Sequence, residues 1–141
     1  MEIDKIKALL RELKELDPYT YNEIAKYGLN WNHPEEEFLT NAIIQSTTQD
    51  AILRHKWHYD ISSWNLCDDK PEYVVEINEV APGYDGDHYN EKHLYLIASE
   101  SSNSLLEALL TSYIKALKRN IELDIISIRK ATHKIVDPYW I

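Results

Sequence analysis

The chain has 141 residues, 44% of them hydrophobic, and a formal net charge of −9. This length and hydrophobic content suit one domain with a sizeable core. The charge disfavours nonspecific nucleic-acid binding, because affinity for phosphate comes from clustered Lys and Arg. The sequence begins directly with helical patterning, and no apolar run reaches the length of a signal core or a membrane span. We therefore expect a cytoplasmic protein without a membrane partner.

A single cysteine limits the chemistry further. Cys67 excludes an intramolecular disulfide and a four-cysteine zinc site, and it fits a reducing compartment. We interpret it as a half-buried small side chain near the end of a strand, since free cysteine usually behaves as a small hydrophobe.

Two helices are predicted at the N-terminus. The first has one apolar stripe at three- and four-residue spacing, made of Ile3, Ile6, Leu9, Leu10, Leu13 and Leu16. It should end near Asp17, because the residue before a proline avoids helical geometry. A short second helix is predicted over residues 19–27, with Thr20 and Glu23 at the spacing of a capping box and Gly28 as a left-handed stop.

A third helix is predicted to begin at Pro34, because proline suits the first helical position and the three glutamates that follow suit the positive end of the helix dipole. The pattern becomes ambiguous at residues 46–48, where the chain either continues as helix to His55 or turns into a strand. We favour an end near Gln45, which gives N-terminal helices over about residues 2–45.

The middle of the chain, residues 56–98, predicts an antiparallel sheet. Trp57, Tyr59 and Ile61 alternate with polar residues, which is the period of a strand with its aromatic side chains inward. Residues 62–67 either extend this strand or form a second one.

Two further strands are predicted after the turn at Pro71. Residues 73–80 indicate a strand with one wet side, because Glu76 and Asn78 share a face. Residues 93–98 are more continuously apolar, which is typical of a central strand covered on both faces. The 81–92 segment between them holds two of the three glycines and predicts a long exposed hairpin loop.

The clearest helix is predicted over residues 104–119. Ser104 and Glu107 have the spacing of a capping box. An apolar stripe wide enough to cover a sheet face follows, made of Leu106, Leu109, Leu110, Tyr113, Ile114 and Leu117. Lys115, Lys118 and Arg119 would suit the negative end of the helix dipole. Residues 121–141 are ambiguous, because a last helix and a strand plus helix both fit.

Charge is distributed unevenly along the chain. Acidic residues dominate from Asp68 to Glu91, whereas basic residues dominate from Lys115 to Lys134. Such a dipolar molecule can steer a charged partner, and we expect a protein partner with a basic surface. A homodimer is a second expected association.

Short chemical motifs give little support for catalysis. His55 and His58 lie beside Asp60, but on a strand the two histidines would fall on opposite faces, so we predict no metal site. The chain has no Gly-x-Ser-x-Gly motif, phosphate-binding loop or dinucleotide-binding glycine pattern. We therefore predict no catalytic residue and no cofactor, and the sequence favours a protein that is not an enzyme.

Partner-binding residues are predicted in the 81–92 loop and at two tryptophans outside the strongly periodic segments. The loop combines aromatic area with glycine hinges, a composition that binding loops use, at Tyr84, Asp85, Asp87, His88 and Tyr89. Trp31 and Trp140 are the tryptophans best placed to anchor a partner. We expect Trp140 to contribute to a homodimer or partner contact.

These observations predict a single α+β domain, in which a small antiparallel sheet of three or four strands in meander order is covered by helices. The predicted function is a small acidic accessory or regulatory protein of the inhibitor or immunity type, acting through protein–protein contact. Two alternatives are a small-molecule or nucleotide pocket lined by aromatic residues and histidines, and a hydrolase with dispersed catalytic residues. The order of two strands and a capped helix resembles that of small phage or bacterial accessory proteins.

Overall fold

The computed structural model describes residues 2–65, 67, 69–80 and 94–136, with side chains described as far as residue 126. The elements are α1 (Glu2–Leu16), α2 (Pro18–Ala25), α3 (Pro34–Arg54), β1 (Trp57–Trp64), β2 (Glu72–Val80), β3 (Leu94–Ser102) and α4 (Leu105–Val136). The α+β class and the antiparallel sheet are confirmed, with three strands in the described part of the chain. Buried side chains from all seven elements form one hydrophobic cluster.

The first two helices follow the predicted pattern, apart from the residue that caps α2. Ile6, Leu10 and Leu13 are the buried positions of α1. The cap of α2 is Asp17, whose Oδ1 accepts a hydrogen bond from the backbone N–H of Thr20 at 3.1 Å. The predicted capping box at Thr20 is therefore wrong, because proline at the first helical position moves the start of α2 to Pro18.

Helix α3 is longer than predicted, since it runs to Arg54 and not to Gln45. Its buried face continues through Thr48 to Ala51 and Ile52. The hydroxyl of Thr48 donates a hydrogen bond to the carbonyl of Ile44 at 2.7 Å, so this polar side chain is satisfied inside the core. The polar residues at 46–48 therefore do not end the helix.

The sheet has the order β1-β2-β3, with antiparallel pairing throughout. The prediction that residues 93–98 form the central strand is wrong, because in a three-strand meander the middle strand of the sequence, β2, is central. Tyr95 and Leu96 of β3 are 57% and 58% exposed.

A β-bulge explains why β3 appeared continuously apolar. Ile77 is opposite Ala98 whereas Asn78 is opposite Leu96, so Ile97 is the extra residue. Ile97 and Ala98 both contact the core, and strict alternation is lost at this point. The apolar run therefore reflects an irregular strand and not burial on two faces.

The two faces of the sheet differ in what covers them. We call the face that contacts α4 the inner sheet face, and it carries Val75, Ile77 and Trp57. We call the opposite face the outer sheet face. It consists of the even-numbered positions 58–64 of β1 and 72–78 of β2, together with Leu96, Ser99 and Ser101 of β3. Asn78 is buried on this face, because β1 and β3 flank it on both sides. The predicted solvent-exposed side of β2 is therefore wrong at this residue.

The start of α4 agrees with the predicted cap. Ser104 Oγ accepts a hydrogen bond from the backbone N–H of Glu107 at 3.2 Å. The Glu107 carboxylate accepts from the hydroxyl of Ser102 at 3.0 Å, and Ser102 Oγ accepts from the N–H of Ser104 at 3.1 Å. In a standard capping box the Glu107 carboxylate would accept directly from the N–H of Ser104. Here the Ser102 hydroxyl connects these two groups.

The apolar stripe of α4 is confirmed in full, since all six of its predicted members are buried. The predicted end near Arg119 is wrong. No proline or glycine lies between Leu105 and Val136, so nothing in the sequence breaks the helix. The cations at 115–119 consequently lie in mid-helix and bind carboxylates. Lys115 pairs with Glu100, Lys118 with Glu12 and Arg119 with Glu79.

Two sequence predictions lie wholly outside the described residues. These are the hairpin loop at 81–92 and the partner contact at Trp140. Cys67 is described and exposed, so the prediction of a half-buried thiol is wrong.

We predict that Leu109→Ala lowers the free energy of unfolding by about 2 to 5 kcal/mol, because Leu109 is fully buried and truncation leaves a cavity between α4 and its neighbours. Urea denaturation monitored by circular dichroism measures this change. The matched control is Leu39→Ala on the exposed side of α3, which should change stability by no more than about 0.5 kcal/mol. Equal losses for the two variants would contradict the placement of α4 in the core.

Candidate functional site

The outer sheet face carries carboxylates that have no cation on the strands to balance them. None of the three strands contains Lys or Arg. Asp60 is directly opposite Glu76 in the β1-β2 register, and Glu72 lies on the same face opposite Trp64. Like charges directly opposite each other destabilise a sheet, so this arrangement is not optimised for folding alone.

On the inner sheet face, by contrast, the carboxylates are paired with cations of α4. Glu100 Oε1 is 2.7 Å from Lys115 Nζ, and Glu79 Oε2 is 3.3 Å from Arg119 Nη1. Helix α4 thus neutralises the carboxylates that face it. Of the described charges, the nearest basic group to Asp60 is the imidazole of His58, with Nδ1 at 3.9 Å from Asp60 Oδ2. The outer sheet face is therefore the acidic side of the sheet.

Two large apolar side chains are exposed on this acidic face. Trp64 is 59% exposed, and Leu96 is 58% exposed. Leu96 lies opposite Asn78, and Asn78 lies opposite His58. His58 is six positions from Trp64 along β1, so Leu96 and Trp64 are separated by about 20 Å along the strand direction. The carboxylates of Asp60 and Glu76 lie between these two apolar ends. Exposed aromatic and aliphatic side chains beside charged groups are typical of protein-binding surfaces.

A second cluster joins the α1–α2 junction to α3 and α4 through Asp17. The Tyr113 hydroxyl donates to Asp17 Oδ2 at 2.5 Å, and the Thr20 hydroxyl donates to the same oxygen at 2.5 Å. His55 Nε2 lies 3.2 Å from the Tyr113 hydroxyl. Since that hydroxyl gives its only proton to Asp17, His55 must be the donor. The His55 ring also stacks on Trp57, with ring centroids 4.3 Å apart.

The protonation of this cluster follows from burial and hydrogen bonding. Burial alone would raise the pKa of Asp17, but hydrogen bonds from Thr20 and Tyr113 outweigh it and hold that pKa below the ordinary value. Burial, reinforced by the bond to Asp17, raises the pKa of Tyr113 well above its usual range. Desolvation of the ring, helped by the nearby Arg54 charge, lowers the pKa of His55 and outweighs the opposing effect of the Asp17 carboxylate.

The cluster therefore contains an ionised Asp17, a protonated Tyr113 and a neutral His55 at neutral pH. The carboxylate is engaged by two hydroxyl donors, and the tyrosine proton is held, so this geometry suits a structural clasp between helices better than acid–base chemistry. Arg54 supports the clasp by donating to Thr20 Oγ1 at 2.9 Å.

Of the partner-binding residues predicted from sequence, only Trp31 is among the described residues. Its indole Nε1–H donates to Asn41 Oδ1 at 3.0 Å, and Lys7 Nζ lies 5.5 Å from the ring centroid. The other six lie outside the described residues, at Tyr84, Asp85, Asp87, His88, Tyr89 and Trp140. That these residues form a partner-binding surface therefore stays a prediction.

The His-x-x-His pattern does not form a shared site. His55 ends α3 and packs on Trp57, whereas His58 lies on the outer sheet face near Asp60. Within the described residues, no group of three or more His, Cys, Asp or Glu side chains is placed to hold a metal ion.

Sequence reasoning missed Trp64, Leu96, Asp60 and Glu76 as site residues. The period-two alternation already placed Asp60 on the side opposite Trp57 and Tyr59, and this was the available signal. The sequence did not indicate which face Leu96 occupies, because the bulge at Ile97 interrupts the alternation that assigns side chains to the two faces.

The distal part of α4 forms another exposed apolar surface. All six residues from 121 to 126 are exposed. Four of them are large aliphatic residues between 40% and 46% exposed, namely Ile121, Leu123, Ile125 and Ile126. Among the described side chains of α4, Leu117 is the last buried one, and a surface of four exposed aliphatic side chains beyond it is one that a partner would stabilise.

Comparison with protein-family models, with curated proteins and with solved structures gave no match. In the part of the chain that the structure describes, no helix has both the length and the apolar character needed to cross a bilayer.

We predict that Asp17→Asn lowers the free energy of unfolding at neutral pH by about 1 to 3 kcal/mol, because the amide is a poorer acceptor for the two hydroxyls than the carboxylate. Asparagine still caps a helix well, so the loss reports mainly the bonds from Tyr113 and Thr20. Urea unfolding across a pH series measures it.

The loss of stability caused by Asp17→Asn should depend on pH. Because the folded pKa of Asp17 lies below its reference value of 3.8, its contribution is fully present above that pH and is lost as the pH falls through the folded pKa. The difference in free energy of unfolding between the wild-type chain and Asp17→Asn should therefore decrease at acidic pH. Asp50→Asn, the same change at an exposed position of α3, should alter the free energy of unfolding by no more than about 0.5 kcal/mol at neutral pH. A gap that stays constant down to the acid limit would contradict the lowered pKa.

Proposed function

We propose that this chain is a non-catalytic accessory or regulatory protein that binds a partner with a basic surface through its outer sheet face. The observation that carries the proposal is the pair of opposed carboxylates, Asp60 and Glu76, on a face with exposed Trp64 and Leu96 and no Lys or Arg on β1, β2 or β3. A basic partner would relieve the repulsion between the two acids and cover both apolar side chains.

The chemistry of this face supports an inhibitor or immunity type of action. Carboxylates on an open sheet steer a basic partner during encounter, and apolar anchors at each end slow its dissociation. The acidic stretch from Asp68 to Glu91, half of which lies outside the described residues, adds charge of the same sign in the sequence. We propose a cytoplasmic site of action, in keeping with one exposed thiol. The alternative of a pocket lined by aromatic residues and histidines stays a prediction.

The test compares two variants of equal charge. Asp60→Asn with Glu76→Gln removes both opposed carboxylates, and Glu35→Gln with Glu36→Gln removes two exposed carboxylates on α3. A partner captured from the native host by the wild-type chain is purified, and its association rate with each variant is measured by surface plasmon resonance. We expect a fall of about tenfold for the outer-face variant only, and a steep decrease with added salt for the wild-type chain.

Stability measurements separate loss of binding from loss of folding. Removing the opposed charges should leave the outer-face variant at least as stable as the wild-type chain. Trp64→Ala, a truncation at an exposed position, should raise the dissociation rate without lowering the melting temperature. Equal association of the partner with all variants, or association insensitive to salt, would show that the partner binds elsewhere.

We also propose that the distal part of α4 pairs with the same segment of a second copy. Its exposed aliphatic residues begin at Ile121, one turn beyond Leu117, the last buried position among the described side chains, and an identical surface on each copy suits a two-fold dimer. In the sequence of this helix, the acids Glu122 and Asp124 precede the bases Arg129 and Lys130, an order that favours antiparallel pairing.

We predict that the wild-type chain is a dimer by light scattering and that Ile121→Glu with Ile125→Glu is a monomer, because two charges would be buried in the contact. Leu39→Glu with Leu53→Glu, a change of equal charge at exposed positions of α3, should remain dimeric. Deletion of residues 139–141 tests the predicted role of Trp140 separately and should weaken the dimer. A monomeric wild-type chain at high concentration would contradict this proposal without affecting the outer sheet face.

A further inference from the structure

A small groove lies between α1, α2 and the segment that joins α2 to α3. It has a volume of about 170 Å³ and is lined by Lys7, Leu10, Arg11, Tyr21, Leu29 and Trp31. A cavity of about 150 Å³ with apolar walls is large enough for one benzene ring, so this groove has room for one large apolar side chain. Leu10 is buried at its base, and Tyr21, Leu29 and Trp31 are half-buried walls.

The wall that contains Trp31 is held in place before any ligand binds. The Trp31 indole donates to Asn41 Oδ1 at 3.0 Å. Thr40 Oγ1 accepts from the N–H of Asn30 at 3.1 Å and donates to the carbonyl of the same residue at 2.8 Å. A groove with pre-organised walls loses less entropy when it binds.

The rim of the groove is basic in a chain whose net charge is −9. Lys7, Arg11 and Lys14 are exposed at successive turns of α1 and follow one edge for about 10 Å. Lys7 Nζ lies 5.5 Å from the Trp31 ring centroid, and Lys14 Nζ lies 5.4 Å from that of Tyr21.

These three cations differ from the other bases near them. Lys5 pairs with Glu107, and Lys118 pairs with Glu12, so the helices supply carboxylates elsewhere on this surface. Within the described residues, Lys7, Arg11 and Lys14 form no ion pair. Their charges are consequently available to an incoming carboxylate.

We propose that this groove binds an acidic segment of a partner protein, which inserts one aromatic or aliphatic side chain beside Trp31 and places its carboxylates against Lys7, Arg11 and Lys14. The apolar anchor provides the contact area, and the three cations provide the charge preference. This site prefers the opposite charge from the outer sheet face, so it goes beyond the proposed function and does not depend on it.

The test uses a fluorescein-labelled nine-residue peptide of glutamates with one central phenylalanine, and binding is followed by fluorescence polarisation. Two further probes are the same peptide with alanine at the centre and a labelled single-stranded oligonucleotide of thymidines. The variants are Arg11→Glu in the groove and Lys70→Glu outside it, which change the net charge equally.

We expect the phenylalanine peptide to bind the wild-type chain at least about tenfold more tightly than it binds Arg11→Glu, and Lys70→Glu to match the wild-type chain within about twofold. The alanine peptide should bind the wild-type chain about tenfold more weakly, because its anchor is missing. The indole N–H signal of Trp31, identified by its loss in Trp31→Phe, should shift on titration with the phenylalanine peptide.

Three outcomes would overturn the proposal. They are equal binding to Arg11→Glu and to Lys70→Glu, equal binding of the alanine and phenylalanine peptides, and tighter binding of the oligonucleotide than of the peptide. Thermal melting of Arg11→Glu confirms that the variant is folded, and no loss is expected because Arg11 is exposed and forms no ion pair in the described part of the chain.

Discussion

The burial of the first half of α4 between the sheet and α1 is the constraint on which the other features depend. Leu109, Leu110 and Tyr113 are fully buried, and burial of each side chain of this size stabilises the fold by roughly 1.5 to 3 kcal/mol before entropy is considered. The same helix carries Lys115 and Arg119 to the inner sheet face and the Tyr113 hydroxyl to Asp17. One helix thus fixes the core, the charge of the sheet and the clasp between helices.

This arrangement divides the sheet into a neutralised side and an acidic side. Among the described residues, α4 supplies cations to the inner sheet face, whereas no Lys or Arg pairs with Asp60 or Glu76 on the outer sheet face. The basic edge of α1 at Lys7, Arg11 and Lys14 lies on the helical layer. The described part of the protein therefore presents acidic and basic surfaces on different elements. Glu72 and Glu76 belong to the acidic stretch of the sequence, whereas Asp60 and the basic edge of α1 lie outside the charged stretches that the sequence indicated.

Sequence periodicity predicted the buried stripe of α4, the extent of α1 and the alternation in β1, and Pro34 with its glutamates predicted the start of α3, because each of these depends on local sequence. It failed where a tertiary contact decides the outcome. The hydroxyl of Thr48 is satisfied inside the core by the Ile44 carbonyl, and the cations that suggested an end of α4 at Arg119 bind carboxylates on neighbouring elements instead. The hydrogen bond between Tyr113 and Asp17 joins residues 96 positions apart, so no local sequence pattern predicts it. Of the predicted site, only Trp31 can be located, and its groove depends on Tyr21 and Lys7 from separate helices.

The extra residue in β3 has a consequence for how other chains can approach. An edge strand with regular spacing offers a row of amide and carbonyl groups on which a foreign strand can extend the sheet. The bulge at Ile97 interrupts that row and increases the local twist. Growth of the sheet by strand addition at β3 is thereby discouraged, and neighbouring molecules are directed toward side chains instead of exposed backbone.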